Sequence, residues 1–295
     1  MKLIFFLLPV LFFQDCKSQP VTTYTYNKDE NSLLWEISGN SIVKPSYLFG
    51  TFHLMCKEDI YVGQNVVQIV KNSDEVYFEM DMDDISNTLG ALLFMNMKNE
   101  VTLQDLYSPE QLKKVESFFR DSLKTSMSFV QKIKPLLLQA LLYPKMMSCK
   151  TMSGVEEVLM KLAKENKKEI KGLETFAFQA SIFDSIPYTL QAKELIKAID
   201  SIAKYKKSFD SLISVYKTQR LSDIEKLFTD SEFGLGENRE ILLDNRNKNW
   251  VVQLKKLLLE KALFVAVGAG HLVGENGLIE LLRKAGFTLK PVENK

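Results

Sequence analysis

The stretch Val265-Ala-Val-Gly268-Ala-Gly-His271 decides the fold, and it has a counterpart far upstream in Tyr47-Leu-Phe-Gly50-Thr-Phe-His53. Each is a short β-prone apolar run that ends in glycine, with a histidine three residues after that glycine. The chain has only two histidines, and both occupy this position. Buried parallel strands read as continuous apolar runs, and open α/β sheets bind ligands beyond the carboxyl ends of their strands. The two motifs therefore predict strands whose histidines project into a crevice at the sheet edge.

These glycines and histidines point to a functional site. Gly50 and Gly268 would let the backbone turn sharply or come close to a ligand. A single histidine is more often a hydrogen-bonded core or surface residue, but two in matching contexts favour function. Neutral imidazole is the commonest metal ligand in proteins and a general acid/base at ordinary pH. His53 and His271 are therefore candidate metal ligands or acid/base groups.

The segments around His53 predict a hairpin and a βαβ unit. Residues 33–37 and 46–49 read as two strands joined by a turn, and we expect the first to form an edge hairpin with the strand that carries His53. Residues 64–71 have helical spacing, and Asp74-Glu-Val-Tyr-Phe-Glu79-Met-Asp81 reads as the next strand. A strand, helix and strand over this distance predict parallel strands, so Glu79 should approach His53. The alternative is an ordinary solvated carboxylate.

Two further polar residues are candidates with open alternatives. Glu174 follows a short strand and stands at the start of a helix, where it either caps that helix or faces the crevice. Arg246 lies near the start of the helix that leads into the second histidine motif. Arg246 could clamp a substrate carboxylate or a developing oxyanion, or it could pair with Asp244 or Glu240.

The middle of the chain is predicted to be helical. Residues 91–233 contain only two glycines, Gly154 and Gly172, and apolar residues recur there at helical spacing. Ser108-Pro109-Glu-Gln111 has the serine, proline and glutamine of a capped helix start. We therefore expect one α/β or α+β domain over residues 19–295, with residues 91–233 as a mostly helical insertion.

The start of the chain predicts export. Residues 1–18 read as a secretory signal peptide, because a lysine precedes an apolar run that is too short to span a membrane. Cys16 is a possible site of lipid attachment, although Gln14 and Asp15 are poor residues before a lipidated cysteine; cleavage after Ser18 is the alternative. We expect a periplasmic, secreted or outer-membrane lipid-anchored protein. The formal net charge of +1 shows no basic bias, so nucleic acid is not an expected partner.

Cys56 and Cys149 would meet an oxidising compartment after export. They could pair or remain separate buried thiols. Cys56 lies three residues after His53, so a Cys–His nucleophile or a metal site containing cysteine is also considered.

Five separated segments of the chain resemble the TraB/GumN family. They are Tyr47-Leu-Phe-Gly-Thr-Phe-His53, Asp74-Glu-Val-Tyr-Phe-Glu79-Met-Asp81, Gly172-Leu-Glu-Thr175 with Gln179, Arg246-Asn247 with Trp250, and Val267-Gly-Ala-Gly-His-Leu-Val-Gly274 continuing to Gly286-Phe-Thr-Leu. That family is similar to the Tiki membrane-anchored metalloproteases, which carry two Gly-x-x-His motifs and a glutamate and depend on a divalent metal. In fold it is similar to erythromycin-esterase-like and haem-binding ChaN-like proteins. The resemblance implies a central mixed sheet with βαβ units, flanked by helices, and a site at the strand ends.

The resemblance also implies roles for individual residues. His53 and His271 would be metal ligands or acid/base groups, and Glu79 the third ligand or the general base. Glu174 and Arg246 would be supporting polar groups of the catalytic site. The chain departs from the Tiki pattern because no transmembrane helix follows the signal segment.

Together these patterns predict an exported, peptidase-like metal-dependent hydrolase that acts on a peptide or small-molecule substrate. The cation would be manganese, cobalt or zinc, and Arg246 would stabilise the oxyanion. Two alternatives stay open: a non-catalytic protein that sequesters a peptide signal, and a haem or metal carrier. The oligomeric state is not indicated.

Overall fold

The computed structural model of the chain describes Tyr26, residues 30–81, Asp83, residues 94–229 and residues 238–295. The predicted signal segment 1–18, with Cys16, lies outside the described residues. So do residues 91–93 and 230–233 of the predicted helical insertion. Among the described residues, no helix is long and apolar enough to cross a membrane.

Strands in the described chain form one large and one small sheet. Their bounds are β1 Leu34–Ser38, β2 Ser46–Thr51, β3 Met55–Cys56, β4 Glu75–Met80, β5 Met152–Ser153, β6 Glu169–Glu174, β7 Leu263–Gly268 and β8 Thr288–Val292. The described part of the large sheet has six strands in the order β6-β4-β7-β2-β1-β8, and β3 pairs with β5. The strands β6, β4, β7 and β2 are parallel, whereas β1 is antiparallel to both of its neighbours. The predicted α/β class with a mixed central sheet is confirmed.

The predicted hairpin of β1 and β2 is confirmed, but its edge position is wrong. β1 pairs antiparallel with β2 on one side, and on the other side it pairs with β8 from Leu34 opposite Val292 to Ser38 opposite Thr288. An uncovered edge strand presents a row of unpaired backbone groups, and the C-terminal strand covers that row here.

The predicted βαβ unit is confirmed and determines where the site lies. Helix α1, Gln64–Asn72, connects β2 to β4, and β7 lies between these two strands in the sheet. Because β2, β7 and β4 run parallel, their carboxyl ends meet at one edge. β4 and β7 are buried along their whole length, as expected for the interior of a sheet with both faces covered.

The other described helices have these bounds: α2 Leu103–Leu106, α3 Pro109–Ser122, α4 Met127–Val130, α5 Pro135–Leu138, α6 Tyr143–Met146, α7 Val155–Glu165, α8 Phe176–Asp184, α9 Tyr188–Asp200, α10 Ile202–Thr218, α11 Leu221–Thr229, α12 Asn245–Glu260 and α13 Leu278–Lys284. Short 3-10 turns cover Lys57–Asp59, Gln139–Leu142 and Ala269–His271, and a π-helical segment covers Glu240–Asp244. The predicted capping box of α3 is present, since Ser108 and Gln111 each accept a hydrogen bond from the backbone N–H of the other.

The described residues divide into two compact units. The first holds the residues up to Asp83, Thr151–Glu174 and Leu212–Lys295, and therefore the large sheet. The second holds the described residues of Asp84–Lys150 and Thr175–Ser211 and is mainly helical. The predicted insertion 91–233 also contains β6, which pairs with β4 in the first unit.

Candidate functional site

Three predicted residues come together at the carboxyl ends of β2, β4 and β7. His53 lies two residues after β2, Glu79 is near the end of β4, and His271 closes the 3-10 turn after β7. The Nε2 atoms of His53 and His271 each lie 3.7 Å from Oε1 of Glu79. Two imidazoles, which follow β2 and β7, therefore converge on one carboxylate oxygen of β4.

Glu79 is buried, and both of its carboxylate oxygens accept hydrogen bonds. Its Oε1 accepts a hydrogen bond of 2.8 Å from the backbone N–H of Gly268, and its Oε2 accepts one of 2.7 Å from Nη2 of Arg246. Burial alone would raise the pKa of this carboxyl, but the charges of Arg246, His271 and His53 and the Gly268 N–H hold it well below its usual range. Glu79 is therefore ionised at any ordinary pH, and the alternative of a solvated carboxylate is wrong.

Arg246 contacts the side chains of Glu79, Glu174 and His271. Its Nε and Nη2 donate to the carboxylate of Glu174 at 2.8–3.1 Å, and Nη2 also donates to Glu79. Its Nη1 donates to the carbonyl of Leu242 and lies 3.1 Å from Nε2 of His271. All five guanidinium N–H groups thus have acceptors. Glu174 faces this buried cluster instead of capping α8, whose cap is the hydroxyl of Thr175.

The alternative that Arg246 pairs with Asp244 or Glu240 is wrong. Residues two apart on a helix do not face each other, so the side chains of Asp244 and Arg246 point in different directions. Asp244 instead lies 3.5 Å from Nε of Arg239 and accepts from the side chain of Asn276.

His53 is held by a residue that lies outside the sequence motifs. Its Nδ1 lies 2.6 Å from Oε1 of the buried Glu156, in the first turn of α7, and the hydroxyl of Thr51 donates to the same oxygen. Burial alone would lower the pKa of His53, but the charge and hydrogen bond of Glu156, with the charge of Glu79, raise it to about 9.

One signal in the sequence marks the place of Glu156. Gly154 is one of two glycines in the helical middle, and a Cβ there would lie 2.5 Å from the carbonyl oxygen of His53 and 2.9 Å from Oε2 of Glu156. At Gly172, the other glycine, a Cβ would lie even closer to the backbone of Asp81. Both glycines stand where two backbones approach too closely for any side chain.

His271 has a different partner. Its Nδ1 lies 2.6 Å from Oδ1 of Asn247, and its ring centroid lies 4.4 Å from that of Trp250. Burial, together with the charges of Arg246 and His53, lowers the pKa of His271 to about 3 against the opposing charge of Glu79. His271 is therefore neutral where His53 is charged.

The glycine of the second motif is needed for close approach and not for a left-handed turn. Gly268 has φ −51°, which any residue adopts. A Cβ there would lie 3.1 Å from Nε2 of His53 and 3.2 Å from Oε1 of Glu79. Because glycine has no Cβ, the side chains of His53 and Glu79 have room to approach each other.

The two cysteines in the described part of the chain are oxidised. Cys56 and Cys149 are both disulfide-bonded. The alternatives of separate thiols and of a Cys56 thiolate beside His53 are therefore wrong.

Comparisons with known proteins place these residues in a family context. A family model described as the TraB/PrgY/gumN family matches residues 33–291. Metalloprotease TIKI1 of Danio rerio is 26% identical over 91% of this chain and 64% of its own length. Metalloprotease TIKI2 of Danio rerio and of Xenopus tropicalis are each 24% identical over 89% of this chain, and over 61% and 60% of their own lengths. The chain thus spans less than two thirds of these relatives. No solved structure matches.

Proposed function

The chain belongs to the TraB/PrgY/gumN family, and from this membership and the geometry of the site we propose that it is a metal-dependent hydrolase of peptide bonds. The observation that carries the proposal is the convergence of the Nε2 atoms of His53 and His271 on Oε1 of Glu79, at 3.7 Å each. The metalloprotease names of the relatives support the same reaction class.

The donor set suits a divalent cation. Both Nδ1 atoms face acceptors, Glu156 for His53 and Asn247 for His271, which is how metal-binding histidines are usually held with Nε2 toward the metal. Two imidazoles and a carboxylate also leave coordination positions open, as a catalytic site needs. Manganese, cobalt and zinc all accept such ligands.

Metal binding would require His53 to release its Nε2 proton, because a pKa of about 9 keeps this ring protonated at neutral pH. One contact of His271 would also have to change. The lone pair of His271 Nε2 now faces Nη1 of Arg246, and a cation would take that place. The guanidinium would keep its bonds to Glu79, Glu174 and the carbonyl of Leu242. The released N–H is the donor that we propose for the oxyanion.

The roles of the individual residues follow from these contacts. A bound divalent cation would polarise the substrate carbonyl and acidify a water molecule. Glu79 would bind it through Oε1 while Arg246 keeps this carboxylate ionised. Glu174 would hold Arg246 in position through two hydrogen bonds from Nε and one from Nη2.

The test is metal content together with peptide digestion. The mature protein, purified without chelators or a histidine tag, is measured by elemental analysis and then incubated with a peptide library and manganese, cobalt or zinc. We expect cleavage, and its loss in His53→Ala, His271→Ala and Glu79→Gln. Glu75→Gln is the matched control, because Glu75 is also buried in β4 but pairs with Lys171 and Lys261 at the other end of the strand. A wild type that neither binds metal nor cleaves peptides would contradict the proposal.

One observation favours a second candidate, hydrolysis without a metal. The carboxylate of Glu156 on Nδ1 of His53 is the arrangement in which a carboxylate orients a histidine general base. This candidate predicts cleavage that persists in excess chelator, increases as pH rises toward about 9 where His53 loses its proton, and is lost in His53→Ala.

Export, with either a lipid anchor at Cys16 or cleavage after Ser18, and a substrate that reaches the site from outside the cytoplasm remain parts of the proposal. The alternatives of peptide sequestration and haem or metal carriage predict other results. Sequestration predicts peptide binding without cleavage when metal is supplied, and haem carriage predicts a Soret band.

A further inference from the structure

The orientation of the Asn247 side chain is fixed by its own donors. Asn247 is 1% exposed, and its Nδ2 donates to the carbonyls of Asn276 at 2.8 Å and of His271 at 3.3 Å. Because both carbonyls only accept, the amide nitrogen must be on their side. The amide oxygen therefore faces Nδ1 of His271 at 2.6 Å, and Nδ1 must carry the proton.

The other side of the ring requires the same tautomer. Nη1 of Arg246 lies 3.1 Å from Nε2 of His271. A guanidinium has no acceptor, so Nε2 must offer its lone pair. Trp250 packs against the ring at a centroid distance of 4.4 Å. Two independent neighbours thus agree on a histidine with Nδ1 protonated and Nε2 bare.

We propose that Asn247 is a positioning residue, which holds His271 in the tautomer whose bare Nε2 faces Glu79. The tautomer follows from the contacts alone. Its consequence for metal affinity rests on the proposed function. The experiment therefore has one arm without metal and one arm with it.

The first arm is NMR of metal-free protein with ¹⁵N-labelled histidine. The chain has two histidines, so two sets of ring signals are expected, and His53→Gln assigns them. In wild type we expect His271 as the Nδ1–H tautomer with a protected, downfield Nδ1 proton. Asn247→Leu should lose the protection and the downfield shift of that proton, because Nδ1 then has no acceptor. A wild-type His271 that carries its proton on Nε2, or an Nδ1 proton that stays protected and downfield in Asn247→Leu, would overturn the proposal.

Asn247→Asp separates positioning from folding. Aspartate keeps the acceptor for Nδ1 but loses the two bonds that Nδ2 donates, so we expect both variants to unfold at lower urea than wild type. Only Asn247→Asp should keep the protected proton. If the proton is lost in both variants, Asn247 has a structural role only.

The second arm measures cobalt affinity by fluorescence. In a Trp35→Phe background Trp250 is the remaining tryptophan, and it packs against His271, so bound cobalt should quench it. We expect Asn247→Leu to weaken cobalt binding about 10- to 100-fold, which is the usual effect of removing the partner of a metal-binding histidine. Asn247→Asp should bind within a few-fold of the background. Equal affinity in Asn247→Leu would overturn the proposal. No cobalt binding in the background protein would instead contradict the proposed function, and the NMR arm would still decide the role of Asn247.

Discussion

His53 and His271 follow the same motif and meet the same carboxylate oxygen, yet their surroundings differ. His53 is paired at Nδ1 with the carboxylate of Glu156, whereas His271 is paired there with the amide of Asn247 and packed against Trp250. The pKa of His53 is raised to about 9 and that of His271 is lowered to about 3.

The difference shows that the motif fixes the position of each ring and that its surroundings fix the charge. Each glycine and histidine pair brings an Nε2 atom to Oε1 of Glu79, but the carboxylate of Glu156 keeps His53 charged, whereas burial and the charge of Arg246 keep His271 neutral. Environments that push two like groups apart in pKa are typical of sites where the groups have distinct tasks. The two histidines of this site are therefore not equivalent, whichever reaction it performs.

The largest effect that we predict comes from Arg246, which hydrogen-bonds to the ring of His271. Arg246→Met should leave the buried carboxylates of Glu79 and Glu174 without their cation, and breaking a buried pair in this way costs about 3–5 kcal/mol. Urea unfolding monitored by circular dichroism measures the loss. Arg220→Met is the control, because the Arg220–Asp223 pair is exposed and should change the free energy of unfolding by about 1 kcal/mol or less. Equal losses of unfolding free energy in the two variants would show that the contacts of Arg246 do not stabilise the fold.

The next prediction concerns the charge on His53. Glu156→Gln removes the carboxylate that raises the pKa of His53, so that pKa should fall from about 9 by roughly two units or more, or about 3 kcal/mol, since one unit is about 1.4 kcal/mol. The titration of His271 should not move. NMR of the labelled histidines across pH gives both curves. Glu157→Gln, at an exposed position of the same helical turn, is the control. A His53 curve that stays near pH 9 in Glu156→Gln would exclude Glu156 as the cause.

The same pKa values predict how stability depends on pH. His53 has a native pKa above its ordinary value of about 6.5, so its contribution is full below pH 6.5 and is lost as pH rises through about 9. His271 has a native pKa below that value, so its contribution is present above pH 6.5 and is lost as pH falls toward about 3. Urea midpoints should therefore decline on both sides of pH 6.5. In Glu156→Gln the alkaline decline should become shallower, and an unchanged alkaline decline would assign it to other groups.

Much of this site could be predicted from the sequence because its main ligand candidates follow local patterns. The apolar runs before Gly50 and Gly268, and the strand that ends with Glu79, are local signals of parallel strands, and parallel strands bring their carboxyl ends together. The resemblance to the family, now confirmed, rests on the same segments.

The partners of the histidines could not be predicted in the same way. Glu156 stands beside Glu157 in the first turn of a helix, where the helix dipole favours acidic residues. Its residue type therefore does not distinguish it from an ordinary acidic residue at a helix start. Its contact with His53 depends on tertiary packing across the sheet edge. The position of β8 beside β1 depends likewise on a pairing between the two ends of the described chain.

The smallest effect that we predict separates the two motif glycines. A Cβ at Gly268 would press on the ligand candidates, whereas a Cβ at Gly50 would lie 3.0 Å from Leu272 and 3.1 Å from Leu33, both apolar. Gly50→Ala should therefore cost about 1–3 kcal/mol of stability through overpacking. Gly268→Ala should cost less stability, because His53 is partly exposed and can shift, but it should weaken cobalt binding at least about tenfold.

Measuring stability and cobalt affinity in both variants tests whether Gly50 and Gly268 have different roles. Urea unfolding gives the stability, and quenching of Trp250 in the Trp35→Phe background gives the affinity. If Gly50→Ala weakens cobalt binding as much as Gly268→Ala does, the two glycines contribute equally to the site. The difference between the two histidines would then not extend to their glycines. If only Gly268→Ala does so, the asymmetry of the histidines extends to their glycines, because Gly268 alone lies against both His53 and Glu79 while its backbone N–H holds that carboxylate in place.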